Sequence, residues 1–173
     1  MDNGRTDSLV LRLATMGDAE QICRIYNHEV TSTVATFDLV PRSLADQQQW
    51  ITDRNGAFAA IVAIDAGDER GDVVGFASLS PYKERPAYRT TVEDSVYVSR
   101  DGQGAGVGTM LLGALVDTAT SHGFHAVMAR IVGGHDASIN LHARFGFEVV
   151  GTEREVGRKF GRWLDVVVMQ KLL

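Results

Sequence analysis

The stretch Val96-Tyr97-Val98-Ser99-Arg100-Asp101-Gly102-Gln103-Gly104-Ala105-Gly106-Val107-Gly108-Thr109-Met110-Leu111-Leu112 decides the fold, because a strand, a glycine-rich bend and a helix succeed one another without interruption. Four glycines occupy positions 102 to 108. They let the backbone approach a ligand closely, and the helix start behind them offers unpaired N–H donors at its positive dipole end. Such a bend suits a phosphate, but several folds use one. A Walker loop ends in Gly-Lys-Ser/Thr, whereas Gly108-Thr109-Met110 has no lysine. A dinucleotide loop comes after the first strand of a βαβ unit, whereas this bend comes after the fourth strand.

Reading outward from the bend supplies the rest of the architecture. Residues 9–13 form an apolar strand, and Thr15 with Asp18 resembles a helix-start box ahead of Ala19, Ile22, Cys23, Tyr26 and Val30, one buried helical stripe. A second helix runs from a cap at Ser43 to Arg54, after a polar-aromatic loop at 31–42. Residues 57–65 and 73–80 read as strands joined by the turn at 67–72. In the strand at 92–98, Val92, Asp94, Val96 and Val98 point one way while Glu93, Ser95 and Tyr97 point the other. The helix from Thr109 ends near His122-Gly123. A strand at 125–131, a short helix at 138–145 and a hairpin of 147–156 and 163–171 around 157–162 complete the chain. The order β-α-α-β-β-β-α-β-α-β-β predicts an α/β fold, a mixed and largely antiparallel sheet with helices on both faces. One domain is expected over residues 9–173, with a flexible segment at 1–8.

Composition narrows the function. The 173 residues carry a net charge of -5 and no Lys/Arg run longer than two, which argues against binding nucleic acid by phosphate neutralisation. The one cysteine, Cys23, lies on the buried stripe, so neither a disulfide framework nor a multi-cysteine metal site is available, and it reads as an inert core residue. No His-x-x-x-His or mixed carboxylate spacing suggests a metal. No apolar run approaches 18 residues, and the first residues lack a signal-peptide core. A cytoplasmic protein without membrane contact is expected.

Two groups of residues make the chain familiar. Gln103-x-x-Gly106-x-Gly108 after Glu93-x-x-Val96-Tyr97-Val98 resembles the acyl-CoA loop of the GNAT superfamily of N-acetyltransferases. More narrowly, Tyr26-Asn27-His28, Thr31-Ser32-Thr33, Tyr82-Lys83-x-Arg85, Tyr88, Thr91-Val92-Glu93, Leu141-His142, Gly146-Phe147 and Gly157-Arg158-Lys159-Phe160-Gly161-Arg162-Trp163-Leu164-Asp165 resemble the phosphinothricin and methionine sulfoximine acetyltransferases. The likeness runs from about Val10 to the C-terminus.

The resemblance implies a GNAT fold, acetyl-CoA as co-substrate without a metal, and a homodimer. It implies that Gln103, Gly104, Ala105, Gly106, Val107, Gly108 and Thr109 hold the pyrophosphate of acetyl-CoA, and that Val96, Tyr97 and Val98 run beside the thioester. His135 and Ser138 fall where the cofactor arm is contacted. Most relatives have Asn where His135 stands, so His135 replaces that contact only in part.

An amine attacks a thioester as the free base, and an α-amine is largely protonated at neutral pH, so a proton acceptor is needed. Glu93 matches the family's base and is expected to act through an ordered water. His142 matches the position of the general acid for the departing thiol. The loop at 82–89 concentrates cations and aromatics just before Glu93: Arg85 and Lys83 suit a carboxylate or phosphinate, and Tyr88 an oxygen. Phe37 closes the pocket, and Val132 and Val156 tune it. Lys159, Phe160 and Trp163 serve pocket walls or a subunit contact.

The expected reaction is transfer of acetyl to the α-amine of phosphinothricin, L-methionine sulfoximine or L-methionine sulfone within a ternary complex. Two alternatives stand beside it. A protein N-terminal acetyltransferase would need an open peptide groove, and a silent acetyl-CoA-binding module would not need Glu93.

Overall fold

Apolar periodicity and turn residues divide the chain into strands and helices in the expected order. A computed structural model describes residues 8–67 and 71–173. The elements are β1 (Leu9–Leu13), α1 (Ala19–Ser32), α2 (Leu44–Thr52), β2 (Ile61–Asp65), β3 (Val73–Pro81), β4 (Thr91–Val98), α3 (Val107–Ser121), β5 (Ala126–Val132), α4 (Asp136–Arg144), β6 (Glu148–Lys159) and β7 (Arg162–Leu172). They form one sheet in the order β1-β2-β3-β4-β5-β7-β6. Among the described residues only β4 and β5 pair in parallel, joined by the α3 crossover, while every other neighbour is antiparallel.

Both faces of the sheet are covered, as the alternation of strands and helices requires. Ile22, Ile25, Tyr26 and Val30 of α1 pack on Val62, Val73 and Phe76. Leu111, Leu112 and Leu115 of α3 pack on Leu79, Val92 and Val127 on the other face. Burial of each such leucine contributes about 1.5–3 kcal/mol. Arg12 at the end of β1 donates to both carboxylate oxygens of Asp18 at 2.7 Å. That hydrogen bond holds the Asp18 carboxyl down at about 2, and Thr15 and Asp18 close a capping box on the tight turn that leads into α1.

Several boundaries differ from the sequence reading. The stretch 57–65 is only half strand: Phe58 N–H bonds to the Asn55 carbonyl and Ala59 N–H to that of Gly56, so a single helical turn takes its first part. Helix α3 begins at Val107 rather than Thr109, which makes Val107, Gly108 and Thr109 its first turn. Helix α4 begins at Asp136, not 138. Strand β6 continues to Lys159, and the hairpin turns on Phe160 and Gly161 alone, with φ of 49° and 74°, the two left-handed residues of a tight hairpin. The expected flexible segment, residues 1–7 of 1–8, and residues 68–70 of the 67–72 turn lie outside the described residues. Ser8 itself is tied to the fold, its hydroxyl donating to Asp65 at 2.9 Å and its carbonyl accepting from Ala66 N–H at 2.8 Å.

Gly75 on β3 brings α3 close to the sheet: a Cβ there would lie 2.8 Å from Val107 Cγ1 and 3.0 Å from both Leu111 Cδ1 and the Tyr97 carbonyl. Gly75→Ala is therefore an overpacked site. It should cost about 1–3 kcal/mol and lower the thermal midpoint by about 2–4 °C for each kcal/mol, measured by circular dichroism; an unchanged midpoint would show that α3 does not need this approach.

Candidate active site

The site begins where a strand pair ends. β4 and β5 pair only through Thr91↔Ala126, Val92↔Val127 and Glu93↔Met128. Beyond Glu93, β5 stays with β7 through Val132↔Val166 while β4 stays with β3 as far as Val98↔Gly75. The sheet therefore opens between residues 94–98 and 129–132, and the backbone groups of β4 facing the gap lose their ladder partners.

Two clefts meet at this opening. A groove of about 540 Å³ is lined by Val96–Val98, the glycine bend, Thr109 and, from α4, Ser138, Leu141, His142 and Arg144. A second cleft of about 260 Å³ is lined by Thr36, Phe37, Glu93 to Tyr97, residues 129–132 and Val166. Ala35, Val96, Tyr97, His135, Ser138 and His142 belong to both walls.

The groove fits the diphosphate of acetyl-CoA by the chemistry of its donors. Gly104 and Gly106 take φ of 79° and 83°, a conformation that side chains oppose. They turn the chain so that α3 starts in the groove, and the Val107, Gly108 and Thr109 N–H groups have no intrahelical acceptor. Gly102 N–H is used internally, donating to Ser99 Oγ at 3.1 Å, and a Cβ at Gly102 would lie 2.8 Å from the Val74 carbonyl. No carboxylate lies between 102 and 109, so an anion meets backbone dipoles without repulsion from the bend. His135 is exposed at the start of α4, on the rim of both clefts.

Glu93 lies half-buried in the second cleft, on the side of β4 opposite Val96. Burial raises its carboxyl above the ordinary value; the nearby Arg130 opposes this, and Asp94 and Glu153 add to it. Arg130 is held by Glu153, Nη1 donating to Oε1 at 2.9 Å. On the other side of β4, Asp94 Oδ2 lies 2.8 Å from His142 Nε2, and His142 Nδ1 donates to the Ser138 carbonyl at 2.8 Å. The Asp94 and His142 side chains are 2 % and 5 % exposed. Burial alone would lower the His142 value, but the hydrogen bond and charge of Asp94 and the Ser138 carbonyl outweigh it, so the imidazolium is favoured.

Most of the expected residues come together here. Glu93, His142, Phe37, Val132, His135, Ser138, Val96, Tyr97 and Val98 border the joined clefts, with the bend beside them. Three do not. Lys83, Arg85 and Tyr88 line a separate hollow of about 360 Å³, with the Lys83 ammonium 4.7 Å above the Tyr82 ring; within one chain they are not part of the Glu93 cleft. A tight turn at Pro86–Tyr88 lies within this loop. Val156 is exposed and outside the cleft. Lys159 is buried, whereas Phe160 and Trp163 face solvent. His142 also departs from a simple proton donor, since both ring nitrogens already face acceptors.

Sequence reasoning missed Asp94 and Arg130, and it named Lys159 for a pocket wall or a subunit contact without its bonds to the Thr36 and Glu29 carbonyls. Asp94 had left a signal: it is the lone acid among Val92, Val96 and Val98 on the apolar side of the strand, where a buried carboxylate needs a partner.

Comparison with known proteins agrees with this geometry. The acetyltransferase (GNAT) domain model matches residues 11–168. The L-methionine sulfoximine/L-methionine sulfone acetyltransferase of Pseudomonas aeruginosa is 42 % identical over 164 residues, 94 % of each chain. A phosphinothricin acetyltransferase of Sinorhizobium meliloti, solved in complex with acetyl-CoA, superposes with a TM-score of 0.89 at 40 % identity, covering 96 % of this chain and 89 % of that one. A ribosomal-protein-alanine N-acetyltransferase of Brucella melitensis superposes equally well, TM-score 0.89 at 39 % identity, covering 95 % and 99 %. An opened strand pair, a glycine bend starting a helix, and this likeness along nearly the whole chain agree, and the protein belongs to the GNAT family of N-acetyltransferases.

Proposed function

We propose that this enzyme transfers acetyl from acetyl-CoA to the α-amine of a small amino acid analogue, phosphinothricin or L-methionine sulfoximine or sulfone, directly within a ternary complex. The observation that carries the reading is the shared wall of the two clefts, Val96, Tyr97, His135, Ser138 and His142, because it lets two substrates meet without a covalent enzyme intermediate. The names of the relatives supply the acceptor class.

In this mechanism the bend from Gln103 to Thr109 holds the diphosphate, and β4 backbone amides left unpaired by the opening polarise the thioester carbonyl. Glu93 takes a proton from the acceptor ammonium through a water. The free amine attacks the carbonyl carbon, the C–S bond breaks, and the sulfur leaves with the electron pair and gains a proton. Nitrogen loses two protons in all, one balanced by the new thiol and one released to solvent. His142 contributes as a charged neighbour of the forming thiolate, since giving up a ring proton would break one of its two 2.8 Å hydrogen bonds. Arg130 is the cation of the acceptor cleft; Lys83, Arg85 and Tyr88, with Glu84, line a hollow outside it. A homodimer fits the exposed Val149, Val150, Val156, Phe160 and Trp163 on the edge hairpin. Among the described residues no helix is long and apolar enough to cross a membrane.

The Brucella neighbour keeps a protein N-terminal acceptor as the second reading. Thiol release from acetyl-CoA, measured with phosphinothricin, the sulfoximine, the sulfone and a set of short peptides, separates the two. Turnover with the amino acid analogues is expected; turnover with peptides alone would replace the reading.

Two variants test the machinery. Glu93→Gln should lower kcat by about 10²–10⁴-fold. Activity should fall on the acid side as Glu93 gains its proton, and Arg130→Gln, by removing the opposing cation, should move that limb to higher pH; a stationary limb would detach Glu93 from it. His142 has the reverse sign. Its raised value means that the charged pair stabilises the fold at low pH and is lost as pH rises through that value. Asp94→Asn should therefore bring the alkaline limb to lower pH, and an unmoved limb with only a lower thermal midpoint would reduce the pair to a structural role.

A further inference from the structure

The motif from Gly157 to Asp165 is only partly used by the mechanism, yet it meets the acceptor cleft from behind. Register between β6 and β7 slips between Glu153 and Gly157. The bulge is pinned by Asp165 Oδ1, which accepts from Glu155 N–H at 2.8 Å while Glu155 takes φ of 52°. Past the bulge, Gly157 and Lys159 turn onto the α1–α2 loop. A Cβ at Gly157 would lie 2.2, 2.6 and 2.8 Å from three atoms of the Phe37 ring. Lys159 Nζ donates to the Thr36 carbonyl at 2.8 Å and the Glu29 carbonyl at 3.2 Å, capping the end of α1 and fixing the residue before Phe37. Phe37 in turn is a wall of the cleft that holds Glu93.

We infer that Gly157 is a specificity-determining position: the bare backbone just past the β6 bulge is the seat of the Phe37 ring, and Lys159 fastens the loop that carries it. This rests on the acceptor-cleft reading given above. Gly157 is a positioning residue and contacts no substrate itself. Its φ lies outside the left-handed region, so a larger residue there is opposed by the ring and not by the backbone angle.

Gly157→Ala tests this. Displacement of Phe37 should raise KM for the acceptor about tenfold, leave KM for acetyl-CoA within about twofold, and change the ranking of the analogues. In a Phe37→Ala background the same substitution should change acceptor kcat/KM by less than about twofold, because coupling vanishes when one partner is gone. An equal loss in both backgrounds, or no loss in either, overturns the inference. If the clash unfolds the single variant, the double variant should fold, since removing the ring makes room for the Cβ; a double variant equally unfolded also overturns it. A crystal structure of Gly157→Ala gives a readout that does not need turnover: Phe37 moved off its seat supports the inference even where none of the analogues is acetylated, a result that would sink only the functional reading, and Phe37 unmoved rejects it.

Discussion

The parallel pairing of β4 with β5 lasts three residues, and the active site depends on its stopping there. A fully zipped pair would satisfy the backbone groups of residues 94–98 and leave no space between the strands. Each strand instead keeps its outer partner, β3 or β7, so separation sacrifices only one short ladder. The opening gains a polar edge, and the two clefts that meet across it share that edge as a wall. The crossover helix α3 fits the same plan, because its N-terminus emerges just after the unpaired stretch of β4 ends.

Close approach is what keeps these parts in register. Gly75 lets Val107 and Leu111 sit against β3, Gly102 passes the Val74 carbonyl, and a Cβ at Gly108 would lie 3.2 Å from Leu141 Cδ2 of α4. Gly75 and Gly102 serve proximity, whereas Gly104 and Gly106 serve backbone angles. The distinction matters for the glycine bend as a whole: its composition reflects two separate demands, and only the second concerns the shape that presents N–H groups to an anion.

Much of this was legible in the residues. Period-two alternation in 92–98 separated Glu93 from Asp94 correctly, and the bend was recognisable by its composition and by the apolar helix that it opens. The features that escaped were long-range. Lys83, Arg85 and Tyr88 are close to Glu93 in sequence, but within one chain they line their own hollow. Arg130 and Glu153 are 23 residues apart and meet only through strand order. Lys159 reads from the sequence as a pocket wall or a subunit contact; its partners are carbonyls 123 and 130 residues away, reached past the β6 bulge, a one-strand irregularity without a composition signature.

Adjacent carboxylates on one strand acquire different tasks from alternation alone. Glu93 faces the cleft that Phe37 borders, with Arg130 near and burial raising its affinity for a proton. Asp94, one residue on, turns to the α4 face and binds His142. Were both on one face, two buried like charges would share a cation, and each would make the other harder to ionise. Separated by the pleat, they have different neighbours: Glu93 feels the charge of Arg130, which is itself paired with Glu153, and Asp94 is bonded to His142. The arrangement needs β4 in a single register with β3, since a slip of one residue would exchange the two acids. Seven consecutive pairs between β3 and β4, from Gly75↔Val98 to Pro81↔Val92, with no bulge among them, hold that register. The strand is thus most regular on the side away from the site, and that regularity is what allows its other edge to be left open.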